Sequence, residues 1–240
     1  MKKNALVIIF LSQIVYCQTN ILVTYNLKIT NESGLFKNNE FLNENLNNVT
    51  SNDKDIKFIL NINDDYSKFY FDAKTTKANQ QISDFALTLG SYSGIVYNIK
   101  NDSILKQISI LGDKIFIIDN SINNWDLVNE TKYIDKYLCF KAMSEKIVKN
   151  EAGVFKFPIV AWYCPSLPYQ YGPNGYGNLP GLILELQVRN SIYGVKNILF
   201  EKINESNIFN FKNIKILSSE QLELKLKEFN GFDELKNLKE

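Results

Sequence analysis

The chain has 240 residues, 27 Lys plus Arg against 26 Asp plus Glu, and no histidine, for a formal net charge of +1. Lysines are scattered and Arg189 is the only arginine, which argues against nucleic acid or any other partner held by bulk charge. Without histidine there are no Ser-His or Cys-His nucleophiles, no histidine acid–base chemistry and none of the usual zinc sites, and no glycine-rich phosphate loop is present.

Residues 1–17 read as a secretory signal peptide. Lys2 and Lys3 precede an apolar run from Ala5 to about Val15, too short for a bilayer that takes about 20 residues. The cut is expected after Cys17, leaving Gln18 first. Retention and acylation of Cys17 as a lipoprotein is the alternative, and the bulky Tyr16 before it speaks against that. No comparably apolar run follows, so no transmembrane span is expected. Residues 18–240 suit a single β-rich domain exported to the periplasm or the cell surface.

Ile21–Thr30 alternates Val23, Tyr25, Leu27 and Ile29 against Leu22, Thr24 and Asn26, a half-buried strand. Asn31–Lys54 is polar, Asn-rich and aperiodic and reads as a long loop. Strands are expected at Lys57–Asn63 and Ser67–Asp72, around the turn Asn63-Asp64-Asp65. Ile82, Phe85, Ala86 and Leu89 fall at helical spacing before Gly90, predicting a short helix over Gln80–Leu89. Gly94–Lys100, Ile104–Leu111 and Lys114–Asp119 follow as short strands of a meander. Lys132–Val148 and Val154–Cys164 are the longest strand candidates, with a hairpin turn at Asn150-Glu151-Ala152-Gly153. Further strands are expected at Val195–Glu201 and Phe211–Leu217. Ser218 with Gln221 then resembles a capping box, opening a helix with Leu222, Leu226 and Phe229 on one face that stops at Asn230-Gly231.

The stretch Trp162–Arg189 organises the chain. Pro165, Pro168, Pro173 and Pro180 alternate with Gly172, Gly175, Gly177 and Gly181 in a loop that has little freedom left to lose on folding. Beyond it Leu182, Leu184, Leu186 and Val188 share one strand face, and Glu185, Gln187 and Arg189 the other. Gly172-Pro173 followed by Tyr176, then Asn178-Leu179-Pro180-Gly181-Leu182-Ile183, resembles the signature of the GLPGLI family of exported Bacteroidetes proteins, whose function is unassigned. Asn178 stands where that family has its first glycine; asparagine is the residue that best tolerates the left-handed region in glycine's place. The resemblance extends more weakly to Phe58–Tyr70 and Trp125–Ala142 and implies no catalytic residues.

A hairpin turning at Glu151-Ala152 sets Cys139 opposite Cys164, 11 residues to either side of the turn. An exported chain permits a disulfide there; two buried thiols on neighbouring strands is the alternative. No Cys-x-x-Cys is present, which argues against redox catalysis. Carboxylates such as Glu185 and Asp135 are not linked by any pattern, so no catalytic residue, cofactor or metal site is assigned.

The fold expected is a mainly β domain: a single antiparallel, strongly curved sheet or half-barrel with one or two short helices, or alternatively a β-sandwich. Trp162, Tyr163, Tyr169, Tyr171 and Tyr176 offer amphipathic area beside a rigid loop, a pattern suited to recognition, while a lid folded back on the sheet is the plainer reading. Glu185 is the carboxylate placed to orient a polar ligand group. Two functions are open. One is a non-enzymatic envelope module that binds a peptide, lipid or glycan. The other is an accessory protein that docks on an outer-membrane or surface assembly through the Pro/Gly/Tyr loop. A large apolar cavity favours the first and an exposed aromatic patch the second.

Overall fold

The computed structural model describes residues 19–30, 36, 38–51, 56–100, 102–110, 113–119, 124–150, 153–202, 209, 211, 214–218, 220–222 and 224. The expected signal peptide lies outside them. The first half of the chain gives strands β1 (Thr19–Ile29), β2 (Lys57–Ile62), β3 (Tyr66–Phe71), β4 (Ile95–Ile99), β5 (Ile104–Ile110) and β6 (Asp113–Asp119). The second gives β7 (Asp126–Ile134), β8 (Tyr137–Asn150), β9 (Gly153–Cys164), β10 (Leu182–Val188), β11 (Ser191–Lys202) and β12 (Ile216–Leu217). Two helices, α1 (Glu40–Ser51) and α2 (Gln80–Leu89), interrupt the first half.

All twelve strands join one open sheet in the order β12-β6-β5-β4-β3-β2-β1-β11-β10-β9-β8-β7. Two meanders meet at β1 and β11, which pair along their whole length from Thr19↔Lys202 to Ile29↔Ser191. Every neighbouring pair is antiparallel except β12 with β6, which is parallel. A mainly β chain is therefore what forms. The sandwich alternative does not, because the strands of both meanders belong to one sheet.

Period two explains the core. Ile21, Val23, Tyr25, Leu27 and Ile29 of β1 are buried on one face, as the alternation requires. Opposite Tyr25 on β2 lies Phe58, whose ring stacks on Phe69 at 5.1 Å and meets Tyr92 and Tyr193 edge-on at 5.1 and 5.2 Å. Such offset and edge-to-face pairs contribute about 0.5–1.5 kcal/mol each beyond their buried area. A second cluster gathers Tyr66, Tyr97, Leu105 and Phe116 under Phe209 and Phe211. Helix α2 sits where the sequence places it. Asn79 caps it, accepting from the Ile82 N–H at 2.9 Å, and its last turn rests on β11 through Ser191 Oγ to Leu89 O (2.8 Å) and the Tyr193 hydroxyl to Gly90 O (2.8 Å).

Three expectations need correction. Asn31–Lys54 is not all loop, because α1 occupies Glu40–Ser51. Asn39 caps it through the Leu42 N–H at 3.0 Å, and Asn45, Leu46 and Val49 are buried at one-turn spacing. Lys132–Val148 is not one strand. Asp135 takes a left-handed conformation (φ 51°) in a two-residue turn between Ile134 and Tyr137, which pair with each other. In Phe211–Leu217 the described strand is Ile216–Leu217 alone, and Phe211 packs into the second cluster instead. The capping box forms as expected, with Gln221 N to Ser218 Oγ at 3.2 Å and Ser218 N to Gln221 Oε1 at 2.9 Å. The first turn that follows is helical, with Leu222 N donating to Ser218 O at 3.0 Å, and Leu226 and Phe229 lie outside the described residues.

Candidate functional site

The Pro/Gly/Tyr loop lies down on the sheet. From its β9–β10 root it crosses to β3 and β4, where Gly175 (φ 84°) packs closely: a Cβ there would stand 3.1 Å from Val96 Cγ1 and 3.3 Å from Ile104 Cγ2. Tyr171 and Gly177 form a bridge, Asn178 N donates to Gln170 O at 3.0 Å, and Ile183 N donates to Tyr171 O at 3.0 Å. The Trp125 indole N–H donates to Gly177 O at 2.8 Å, with Tyr176 edge-on to its ring at 6.4 Å. From below, the Tyr25 hydroxyl donates to Ile183 O at 2.6 Å. Burial of that phenol pushes its pKa far above the ordinary value.

The signature residues each meet a steric demand. Gly172 is buried against Ile183, whose Cδ1 and Cβ would lie 2.7 and 2.8 Å from an added Cβ. Asn178 is left-handed at φ 62°, as its place in the motif implies. Leu179 is buried at 1 % exposure, Pro173 is buried and Pro180 faces solvent. Gly181 (φ 156°) presses on the Cys164 carbonyl. The lid reading is the one the geometry supports for this loop.

The recognition residues do not converge. Trp162 and Tyr163 are consecutive on β9 and point to opposite faces. Tyr163 is 6 % exposed and beside Phe140 (6.1 Å), whereas Trp162 lies on the other face with Glu185 and Lys141 as its cross-strand partners. Tyr169, Tyr171 and Tyr176 are half-buried against the core, and burial followed by the Asp65 charge raises the Tyr171 pKa. Glu185 is ion-paired to Lys132 at 2.7 Å, and Lys132 stands 4.4 Å over the Trp162 ring. The carboxylate expected to await a ligand already has a partner. Cys139 and Cys164 are buried free thiols. Burial and then the neighbouring Cys164 push the Cys139 thiol up to about 12, so it is unreactive in the folded chain. Among the described residues, no three His, Cys, Asp or Glu side chains gather as a metal ion requires. No described helix is long and apolar enough to cross a membrane, which says nothing of a β-barrel.

Two features escape the sequence reading. The first is the β8–β9 hairpin. β7 pairs with β8 only as far as Met143, and β10 pairs with β9 only as far as Ile159. Residues 144–150 and 153–158 therefore project with no strand beside them among the described residues. They carry exposed Ile147, Val154 and Phe155, at 54, 61 and 40 % exposure. Phe155 and Phe157 stack at 6.5 Å, with Arg189 4.2 Å over Phe157. Leu127, Tyr133, Leu138 and Met143 continue the exposed apolar set along β7 and the root of β8. The second feature is an open groove of about 530 Å³ between α1 and α2, flanked by Phe41 and Phe85 and walled by Asn45, Gln80, Gln81 and Asp84. The hairpin had a signal, aromatics at alternate positions in Val154–Pro158, but alternation alone reads as core.

A family model described as "Protein of unknown function (Porph_ging)" matches residues 154–185. That stretch takes in most of β9, the whole loop and the start of β10. Two solved structures of PNGF-II, in the C2 and P21 space groups, are similar in fold, with TM-scores of 0.53 and 0.52 at 18 and 16 % identity. Each likeness covers 86 % of this chain and 32 % of the PNGF-II chain, so this chain spans about a third of the length of those proteins. No curated protein matches. The chain is thus similar, over the strand and loop that carry its signature, to an uncharacterised family.

Proposed function

We propose that the chain is an exported, non-enzymatic docking module of the cell envelope that binds another protein through its β7–β9 wing. The observation that carries this reading is the projecting β8–β9 hairpin with its exposed Ile147, Val154 and Phe155. By register Ile147 and Val154 share one face of the hairpin and Phe155 lies on the other, so the projecting ribbon exposes apolar side chains on both faces, and exposed apolar area of this kind marks an interaction site. β7 is the outermost strand on that side of the sheet among the described residues, and its outer edge suits pairing with a partner strand. The Pro/Gly/Tyr loop then serves as scaffold rather than contact. It seats the sheet by spanning from β10 to β4, five positions along the strand order. In a flat sheet these strands would lie roughly 24 Å apart at about 4.8 Å per strand, a span the loop crosses to set Gly175 against Val96 and Ile104.

The α1–α2 groove favours a second reading, a small ligand held between aromatic ends and amide walls. One experiment separates the two. A photo-crosslinking residue is placed at Phe155, and another at Phe41, in cells of the source organism. The docking reading expects a discrete protein adduct from position 155 and none from 41. Adducts from 41 alone, or a small added mass in native mass spectrometry that Phe41→Ala removes, would replace docking with ligand binding.

A further inference from the structure

Cys139 and Cys164 are free thiols in this structure; we propose that in an oxidising compartment they form a cross-strand disulfide at the root of the β8–β9 hairpin, made while the chain folds. Register is the first support. The β8–β9 ladder ends with Phe140 opposite Tyr163, and one further step in the same register would set Cys139 opposite Cys164. The same two residues pair outward with Lys132 on β7 and Leu182 on β10, so both lie within the sheet at this level. Pro165, which has no N–H to donate, ends the ladder at this step.

Main-chain orientation is the second support. The Cys164 carbonyl faces β10 and the following turn. A Cβ built on Gly181 would stand 2.2 Å from that oxygen, and the Leu167 N–H donates to it at 3.1 Å. A pair whose main-chain groups point outward is the non-hydrogen-bonded kind, the closer of the two antiparallel geometries, with Cα atoms about 4.5 Å apart. Disulfides span Cα separations of about 4.4–6.8 Å. The notional obstacle, a slipped register at the hairpin turn, is absent: Asn150 pairs with Gly153 and every later rung keeps step.

Burial sets the order of events. Both residues are fully buried, so no oxidant reaches them once β10 and the loop are seated. The bond forms earlier by exchange with a small disulfide such as oxidised glutathione. One cysteine thiolate attacks it and releases one glutathione; the second cysteine attacks the mixed disulfide and releases the other. The two protein thiols lose two electrons and two protons, and the glutathione disulfide gains them. The cellular compartment rests on the export reading above, whereas the test in the tube does not.

The full chain carrying Cys17→Ser is unfolded, reduced, refolded in a mixture of reduced and oxidised glutathione, then denatured in iodoacetamide and weighed. The expected product is about 2 Da lighter than the reduced chain and carries no alkyl group. Complete reduction is expected to lower its Tm by roughly 5–10 °C, because the bond closes a loop of about 25 residues. The Cys139→Ser version, treated alike, must take up one alkyl group on Cys164 and melt like the reduced chain. Two alkyl groups on the refolded parent, a stable glutathione adduct, or disulfide-linked dimers would overturn the proposal.

Discussion

Gly181→Ala tests whether the signature loop is a structural lock. Gly181 has φ 156°, a conformation that residues with a Cβ rarely adopt. An alanine Cβ would stand 2.2 Å from the Cys164 carbonyl oxygen, 2.5 Å from its carbon and 2.8 Å from Pro165 N. All three atoms are main chain and none swings aside. Backbone strain costs about 1–3 kcal/mol, and forcing β9 and β10 apart adds an overpacking cost of about 1–3 kcal/mol. The smaller freedom of alanine in the unfolded chain returns about 0.4–1 kcal/mol, which reduces the loss without reversing it. The balance is a net loss of about 1–6 kcal/mol, and at about 2–4 °C per kcal/mol for a chain of this length it predicts a Tm lower by at least about 2 °C. Gly194→Ala is the control, since a Cβ there meets nothing within 4 Å and the backbone is unstrained; it should stay within about 0.5 kcal/mol of the parent. Thermal unfolding followed by circular dichroism compares the three. If Gly181→Ala melted with the Gly194→Ala control, the close approach at Cys164 would not hold the loop, and its role as scaffold would fall.

Trp125→Phe keeps the ring but removes the 2.8 Å hydrogen bond to Gly177 O; a loss of about 1–2 kcal/mol in urea unfolding is expected, and an unchanged midpoint would mean that the indole only covers the loop. Alkali should destabilise the fold. Burial raises the pKa of Tyr25 and Tyr193 far above the ordinary value and that of Tyr97 to about 12, so in the folded chain these phenols stay neutral where the unfolded chain ionises them. Stability is complete below about pH 10, the unfolded value, and falls above it by about 1.4 kcal/mol per pH unit for each such phenol until its raised folded value is reached. Urea midpoints at pH 8, 10 and 11 measure the slope, and Tyr25→Phe should lessen it; a midpoint constant to pH 11 would contradict the burial.

How much was legible followed from which physical signal each residue carries. Alternation along β1 and the helical spacing of Ile82, Phe85, Ala86 and Leu89 are local, and both elements appear where that periodicity puts them. Helix α1 was hidden because its buried face is only Asn45, Leu46 and Val49 in a run of asparagines, residues that cap and turn more readily than they propagate a helix. The break at Asp135 depended on one residue accepting φ 51°, which no pattern announces. The grouping of Trp162 with Tyr163 conflicted with period two itself, since neighbours on a strand face opposite ways, and the structure separates them accordingly. Exposure of the β8–β9 hairpin was beyond reach for a different reason. Phe155 and Phe157 share a face as core residues do, and whether a strand lies beside them is decided by where β7 and β10 stop pairing, at Met143 and Ile159. The loop inverts that case: its tyrosines look made for contact, yet Gly175 and Gly177 let it approach the sheet until the rings are half-buried. Surface and scaffold exchange places between sequence and fold because burial belongs to topology, and aromatic content alone says only how much area there is to bury.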